Sequence, residues 1–185
     1  MRYPAIMLDL ETMGLSPSAP ILAIGACFFD EAGEDTPETL QTFEKVISLA
    51  SNEKAGRHPE AGTVIWWLQQ SQAAQEAFLT RRTTNLAQAL QSLHNWVHSL
   101  NPRPQTLWAK DPDFDAVILN DALRSQGLQP LVRYHQHRSV RTAMALAFRD
   151  SPPPRLTTST AHSAVDDAVE QALQIQLAYL KLSNT

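Results

Sequence analysis

The sequence predicts an α/β domain in which helices flank a central mixed sheet of five strands. Apolar runs bounded by turn residues occupy the start of the chain, and apolar residues at helical spacing occupy most of the remainder. Strands that come first and then alternate with helices are typical of a layered α/β arrangement. The length of 185 residues suits one domain with its own core, so we expect a single domain over residues 1–185.

Five segments fit strands, and they predict an antiparallel meander of three strands that two further strands extend in parallel. Residues 5–10 and 21–29 are nearly continuous apolar runs, and the turn sequence of residues 14–17 lies between them. Residues 42–48 alternate more weakly between apolar and polar side chains. The last two candidates are residues 106–109 and residues 131–134.

Helices are predicted where apolar residues recur every three or four positions. Leu86, Leu90 and Leu93 mark one such face. Asp111 fits the N-cap of another helix and Pro112 its first residue. The predicted helices cover residues 63–70, 72–79, 86–100, 112–125, 140–148 and 164–182, and residues 150–160 are predicted as an irregular, proline-rich loop.

Composition excludes several classes of protein. Cys27 is the only cysteine, so an internal disulfide and a cysteine-rich metal site are excluded, and its apolar neighbours predict a buried thiol. The apolar run at residues 21–29 is too short to cross a membrane and no signal peptide is visible, so we expect a cytoplasmic protein. A net charge of −4 argues against tight nonspecific binding to nucleic acid, although the basic residues within 103–155 could meet phosphates or simply be solvated.

Two carboxylates directly follow the first apolar run. Because side chains alternate across a strand, Asp9 and Glu11 point to one face and Leu10 to the other. Two such groups at the end of a buried strand repel each other and are costly to ionise unless a cation lies between them. The pair therefore predicts a metal site, and the alternative is a strand that ends in solvated polar residues.

A histidine and an aspartate flank the start of the last predicted helix. Inside one helix, His162 and Asp167 would lie on different faces. Ser163 fits the N-cap, and Asp166 completes a pattern that resembles a capping box, so His162 lies outside the helix and Asp167 in its first turns. A histidine hinged beside a fixed carboxylate suits a general base, and the alternative is a surface histidine before a capped helix.

A third acidic group opens a helix in the middle of the chain. Asp111, Asp113 and Asp115 all lie near the helix N-terminus, where the macrodipole favours acids for structural reasons alone. The apolar stripe that contains Phe114 and Val117 predicts the buried side of this helix. Asp115 lies at the edge of that stripe and can point towards the end of the sheet, whereas Asp113 is expected to face solvent.

The order of these groups is more specific than any one of them. In this order the sequence resembles the DEDDh exonucleases, a family that includes polymerase proofreading subunits, oligoribonuclease and RNase T, and it is most similar to phage and prophage members. The resemblance spans nearly the whole chain. It rests on residues 8–14, Trp66-Trp67, residues 108–115, residues 140–142 and residues 161–167.

The resemblance implies a ribonuclease-H-like fold and a 3′–5′ exonuclease that releases 5′-mononucleotides from single-stranded DNA or RNA. It implies that two Mg²⁺ or Mn²⁺ ions are bound by carboxylates and that His162 is the general base. Hard divalent cations prefer such oxygen ligands, and two metal ions about 4 Å apart suit phosphodiester hydrolysis. The implied ligands are Asp9, Glu11, Asp115 and Asp167.

Candidate substrate contacts follow from the same resemblance. Thr12 and Met13 directly follow the acidic pair, and Lys110 stands near the position where the family often has an asparagine. Adjacent helical residues point about 100° apart, so Trp66 and Trp67 cannot both face the core. We expect Trp67 in the core and Trp66 available to stack on a base.

Other interpretations remain open at the level of sequence. The chain could be a catalytically impaired nucleic-acid-binding module on the same fold, which Lys110 in a metal position would favour. It could also be a small-molecule metallophosphohydrolase, which requires a closed, narrow pocket. Ser139 replaces an acid that is frequent in phage-type relatives, so the substrate preference stays open, and relatives are often homodimers.

Overall fold

The computed structural model describes residues 2–79, 82–149, 151, 153–156 and 163–183. Its central sheet confirms the predicted mixed sheet of five strands, in the order β3-β2-β1-β4-β5. The first three strands pair antiparallel, and β4 and β5 extend the sheet in parallel from β1. The strands are β1 (Pro4–Thr12), β2 (Ile21–Asp30), β3 (Gln41–Val46), β4 (Thr106–Ala109) and β5 (His137–Ser139).

Helices cover both faces of this sheet. They are α1 (Leu49–Lys54), α2 (Ala61–Leu68), α3 (Gln72–Leu79), α4 (Leu86–Ser99), α5 (Asp115–Ser125), α6 (Val140–Phe148) and α7 (Ala164–Ser183). Among the described residues, no helix is both long and apolar enough to cross a bilayer.

Alternation along β1 assigns its two faces to different helices. Even-numbered side chains up to Leu10 pack with α4 and α5, and the odd-numbered Ala5 and Met7 pack with α6 and α7. The same alternation directs Asp9 and Glu11 towards the α7 side of the sheet. Strand geometry therefore places both carboxylates on one face of the sheet, as the sequence predicts, and α7 covers that face.

The first turn of α7 lies directly on β2 at Gly25. A Cβ atom at this position would lie 2.0 Å from the carbonyl carbon of Ala164 and 2.2 Å from the amide nitrogen of Val165. Gly25 is also the partner of Asp9 in the β1–β2 ladder. Because only a residue without a side chain permits this approach, Gly25 sets the distance between α7 and the end of β1.

Cys27 lies two residues further along β2, beneath the same helix. Its side chain is fully buried, as predicted, and the thiol donates to the carbonyl oxygen of Ala168 at 3.5 Å. Burial raises the pKa of this thiol far above its usual value. The residue therefore acts as a small apolar group in the contact between β2 and α7.

The last strand lies later in the chain than the sequence predicts. Residues 131–134 do not form a strand, because Leu131 and Val132 are buried as part of a loop that packs into the core of the α5 side. Strand β5 instead pairs with β4 through the register Leu107↔His137. Apolar residues at positions 131 and 132 indicate that this segment is buried, but they do not distinguish a strand from a loop that packs on the core.

Helix α5 begins at Asp115 and not at Pro112, and Asp111 is not its N-cap. Residues 112–114 form a turn, in which the Asp111 carbonyl accepts the amide of Phe114 at 2.8 Å. The Asp111 carboxylate binds Arg141 instead, with contacts of 2.6 and 2.9 Å. Val117, predicted on the buried side, is 40% exposed. Helix α1 was not predicted, because its sequence carries no apolar periodicity.

We predict that Gly25→Ala lowers the free energy of unfolding by about 1–3 kcal/mol, the usual cost of overpacking. The added methyl group overlaps the backbone of Ala164, so α7 must move away from β2. Urea unfolding measures the change. Gly62→Ala is the matched control, because nothing lies within 4 Å of a Cβ there and alanine favours the helix. Equal stability of the two variants would contradict the assigned role of Gly25.

Candidate active site

Three predicted carboxylates converge at the end of β1. Asp9, Glu11 and Asp167 each offer an oxygen, and these three atoms lie within 4.8 Å of one another. All three residues are partly buried. Three acidic oxygens at this separation can surround one divalent cation, which prefers oxygen ligands. The described residues thus bring together groups that lie at opposite ends of the sequence.

The position of Asp167 follows from the start of α7. Ser163 precedes the helix, is buried, and its carbonyl oxygen accepts the amide of Asp167 at 2.9 Å. This bond fixes Asp167 in the first turn, which lies on Gly25 and therefore opposite Asp9. The arrangement agrees with the predicted start of the last helix.

Asp115 is held beside the same group by β1 itself. The parallel ladder between β1 and β4 ends at Met7↔Trp108, so the edge of β1 beyond it has no strand partner there. The amide of Leu10 instead donates to Oδ1 of Asp115 at 3.1 Å. Asp115 is the first residue of α5 and is only 4% exposed, whereas Asp113 is exposed as expected. The bond satisfies the strand and orients a buried carboxylate.

These carboxylates resist ionisation in the absence of a cation. Burial raises the pKa of Glu11 to about 8, and the charges of Asp167 and Asp115 add to this effect. Burial also raises the pKa of Asp115 to about 7, although the hydrogen bond from Leu10 opposes the rise. The pKa of Asp9 is raised well above its usual range, first by burial and then by the neighbouring carboxylates. Such mutual repulsion stabilises a bound cation, because a positive charge relieves it.

Gln171 is a partner of Asp9 that we did not find from the sequence. Its Nε2 donates to Oδ1 of Asp9 at 2.9 Å, and its side chain is 6% exposed. Gln171 lies four residues after Asp167 and so projects from the same face of α7. That spacing was the available signal, but a glutamine in a helix has no distinctive chemistry until its partner is known.

His162 lies outside the described residues. The part of α7 that is described begins at Ala164, directly after Ser163. The predicted role of His162 therefore stays a prediction that activity measurements must test.

A cavity of about 480 Å³ lies beside Glu11 on the α2 side. Trp66 is 43% exposed and lines it, whereas Trp67 is 3% exposed and donates from its indole to the carbonyl oxygen of Thr12 at 2.9 Å. Trp67 thus lies in the core, as expected, and stacking of Trp66 on a base stays a prediction. Trp67 contributes to the lining as well, and the other lining residues are Leu10, Thr12, Leu15, Glu60, Gly62, Thr63 and Phe114.

Met13 is not brought to this cavity. Its side chain is 7% exposed and packs beneath the cavity with Leu22, Trp67 and Ala74. The Met13 carbonyl accepts the amide of Glu60 at 2.8 Å, so the residue ties the end of β1 to the start of α2. Met13 thus supports the floor of the cavity.

A second cavity of about 340 Å³ lies on the other side of the carboxylates. Asp9 and Asp167 line it together with the exposed Lys110. Arg141 also lines it, and its pairing with Asp111 lowers the pKa of that acid. Ser139 accepts the amide of Thr142 at 3.2 Å and thereby caps α6, so this residue has a structural role here. Cationic side chains thus flank the acidic group on this side.

Solved structures that resemble this fold include several nucleases. The zinc-bound complex of E. coli exonuclease I with single-stranded DNA matches at 15% identity with a TM-score of 0.65, over 98% of this chain and 42% of that one. Exonuclease I from Methylocaldum szegediense matches at 13% identity with a TM-score of 0.54, over 98% and 40%. Cell-death related nuclease 4 matches at 13% identity with a TM-score of 0.62, over 96% and 64%.

This chain spans less than half of the exonuclease I structures, so those matches concern one part of each larger protein. At such identities the likeness establishes the fold, which confirms the ribonuclease-H-like expectation. No curated protein matches the chain significantly in sequence. The sequence model of the Rv2179c-like 3′–5′ exoribonuclease domain matches residues 4–178, and the chain therefore belongs to this family of DEDD-type 3′–5′ exonucleases.

Proposed function

We propose that the protein is a divalent-cation-dependent exonuclease that removes 5′-mononucleotides from the 3′ end of single-stranded RNA or DNA. The observation that carries this proposal is the convergence of Asp9, Glu11 and Asp167 within 4.8 Å at the end of β1. Membership in a family described as exoribonucleases supports RNA as the first substrate to test. The single-stranded DNA bound by E. coli exonuclease I supports testing DNA beside it.

In this proposal the carboxylates hold Mg²⁺ or Mn²⁺. Asp9, Glu11 and Asp167 supply converging oxygens, and Asp115 supplies a buried carboxylate beside them. Two bound ions would supply an activated water and charge stabilisation at the leaving 3′ oxygen. The donor set fits hard cations, because every proposed ligand atom is a carboxylate oxygen and burial disfavours the uncompensated anions.

The remaining residues bind substrate and move a proton. His162, in the neutral form, takes a proton from the attacking water. Trp66 stacks on the terminal base, and Thr12 lies at the same cavity next to the acidic pair. Met13 supports this cavity from below. Lys110 approaches a phosphate from the second cavity, where its charge offsets the net charge of −4 on the whole chain.

Two observations weigh against the competing interpretations. Lys110 is exposed at the rim of its cavity, whereas the acidic group is partly buried, which disfavours a lysine in a metal position. The cavity beside Glu11 is bordered by Leu15, which is 72% exposed, and by Trp66, which is 43% exposed, so it opens to solvent as an oligonucleotide requires. A homodimer and a closeness to phage-type members stay predictions.

The metal-free protein should become less stable as pH rises from about 4.5 to 8. The folded-state pKa of Glu11 is about 8 and that of Asp115 about 7, above their unfolded values, so the folded state binds more protons within this window. Bound protons are lost as pH rises through the folded pKa values, and stability falls with them. Mg²⁺ should oppose this loss, with the largest gain in melting temperature near pH 8.

Thermal melting with EDTA or with Mg²⁺ across this pH range measures both effects. Glu11→Gln should flatten the metal-free slope, whereas Asp113→Asn is the matched control because Asp113 is exposed. A metal-free melting temperature that rises steadily towards pH 8 would show that the carboxylates are not held together in solution.

Substitution of each proposed catalytic residue should lower kcat by at least about 100-fold, because ligands and base act together in the transition state. Two neighbouring residues provide matched controls: Asp113→Asn, in the turn before α5, for Asp115→Asn, and Asp166→Asn, on α7, for Asp167→Asn. Asp9→Asn, Glu11→Gln and His162→Gln complete the set. The assay follows 5′-labelled single-stranded RNA and DNA, which should shorten stepwise from the 3′ end with Mg²⁺ or Mn²⁺. Wild-type rates in Asp9→Asn and His162→Gln would refute the assignment.

Trp66→Ala should raise KM by about tenfold while kcat changes less, because base stacking contributes about 1–3 kcal/mol to binding. Trp66→Phe should retain most of the affinity. Leu68→Ala is the control, since Leu68 lies on the same helix, is 72% exposed and does not line the cavity. Steady-state kinetics on a short oligonucleotide measure the split, and an unchanged KM in Trp66→Ala would remove this tryptophan from the substrate site.

A further inference from the structure

Gln171 is buried in a way that a structural role alone does not explain. Its side chain is 6% exposed on α7, and its Oε1 atom is buried without a hydrogen-bond partner among the described residues. Buried polar atoms are normally paired, because an unpaired one loses its bonds to water. An apolar residue here would avoid that cost, so the presence of a glutamine points to a use for its amide.

The amide nitrogen indicates what that use is. Nε2 of Gln171 donates to Oδ1 of Asp9 at 2.9 Å. This donor and Asp167 project from one face of α7, four residues apart, and α7 is fixed on β2 through Gly25. The bond therefore ties the Asp9 carboxylate to the helix that also carries another member of the acidic group.

An orienting donor matters because the Asp9 side chain could otherwise rotate. Repulsion from Glu11 and Asp167, whose oxygens lie within 4.8 Å, favours any rotation that separates the carboxylates once they ionise. The hydrogen bond from Gln171 opposes that rotation. Groups that hydrogen-bond to metal ligands in this way typically change metal affinity by 10–100-fold when removed.

We propose that Gln171 is a positioning residue that holds Asp9 in the orientation required to share a divalent cation with Glu11 and Asp167. It lines the second cavity and acts on the cation through Asp9. This inference rests on the proposed cation-binding function, and it assigns to Gln171 the preorganisation of the cation site. It also explains why Oε1 has no partner among the described residues, because the amide must present its nitrogen to the Asp9 carboxylate.

The test measures Mn²⁺ binding to the whole protein without nucleic acid, from the electron paramagnetic resonance signal of free Mn²⁺. Gln171→Met keeps the side-chain length and removes the donor, and Gln171→Leu is a second variant with the same loss. Both should bind Mn²⁺ at least tenfold more weakly. Gln174→Met is the matched control, because Gln174 lines the same cavity from α7 but donates to Pro154 and Glu170.

Melting temperatures in EDTA separate positioning from packing. Both Gln171 variants should melt close to the wild-type temperature, since the loss of the bond to Asp9 is offset by removal of a buried oxygen that has no partner among the described residues. At saturating Mn²⁺ their kcat should return to within about threefold of wild type, because the ligands themselves are intact. Wild-type Mn²⁺ affinity in Gln171→Met and Gln171→Leu would overturn this inference alone. A wild-type protein that binds no Mn²⁺ would instead overturn the proposed function, so the two failures are distinguishable.

Discussion

The backbone of α7 lies against Gly25, and the geometry of the acidic group depends on that contact. Gly25 is paired with Asp9 across the sheet, so the helix that carries Asp167 can approach the strand that carries Asp9 only where β2 has no side chain. A methyl group at this position would separate the two carboxylates by moving a whole helix. Direct contact between the backbones of α7 and β2 thus fixes the distance between these carboxylates, whereas in more adaptable sites a loop or a linker would let it vary.

The folded, cation-free protein is destabilised where these carboxylates meet. Burial and mutual repulsion raise the pKa values of Asp9, Glu11 and Asp115, so the folded protein holds groups that would separate if they were free to do so. Hydrogen bonds from Leu10 and Gln171 keep two of them in place. A site that is unfavourable for the empty protein is favourable for a bound cation, which is the usual relation between local instability and function.

Strand alternation and helix capping were sufficient to predict much of this arrangement. They placed Asp9 and Glu11 on one face and Asp167 in the first turn of α7, because these relations are local. Relations that depend on tertiary contacts were not predictable. Nothing in the sequence around Gly25 indicates that a helix packs on it. The strand at His137–Ser139 has no apolar pattern, because it is stabilised by pairing with β4 and not by burial of its own side chains.

Assembly of the acidic group requires segments from opposite ends of the chain. Asp9 and Gln171 are bonded across a sequence separation of 162 residues, and β1 needs α7 before its carboxylates have their partners. Such long-range contacts form late in folding, and during synthesis the N-terminal strand emerges long before the last helix. A growing chain still attached to the ribosome therefore carries an incomplete site.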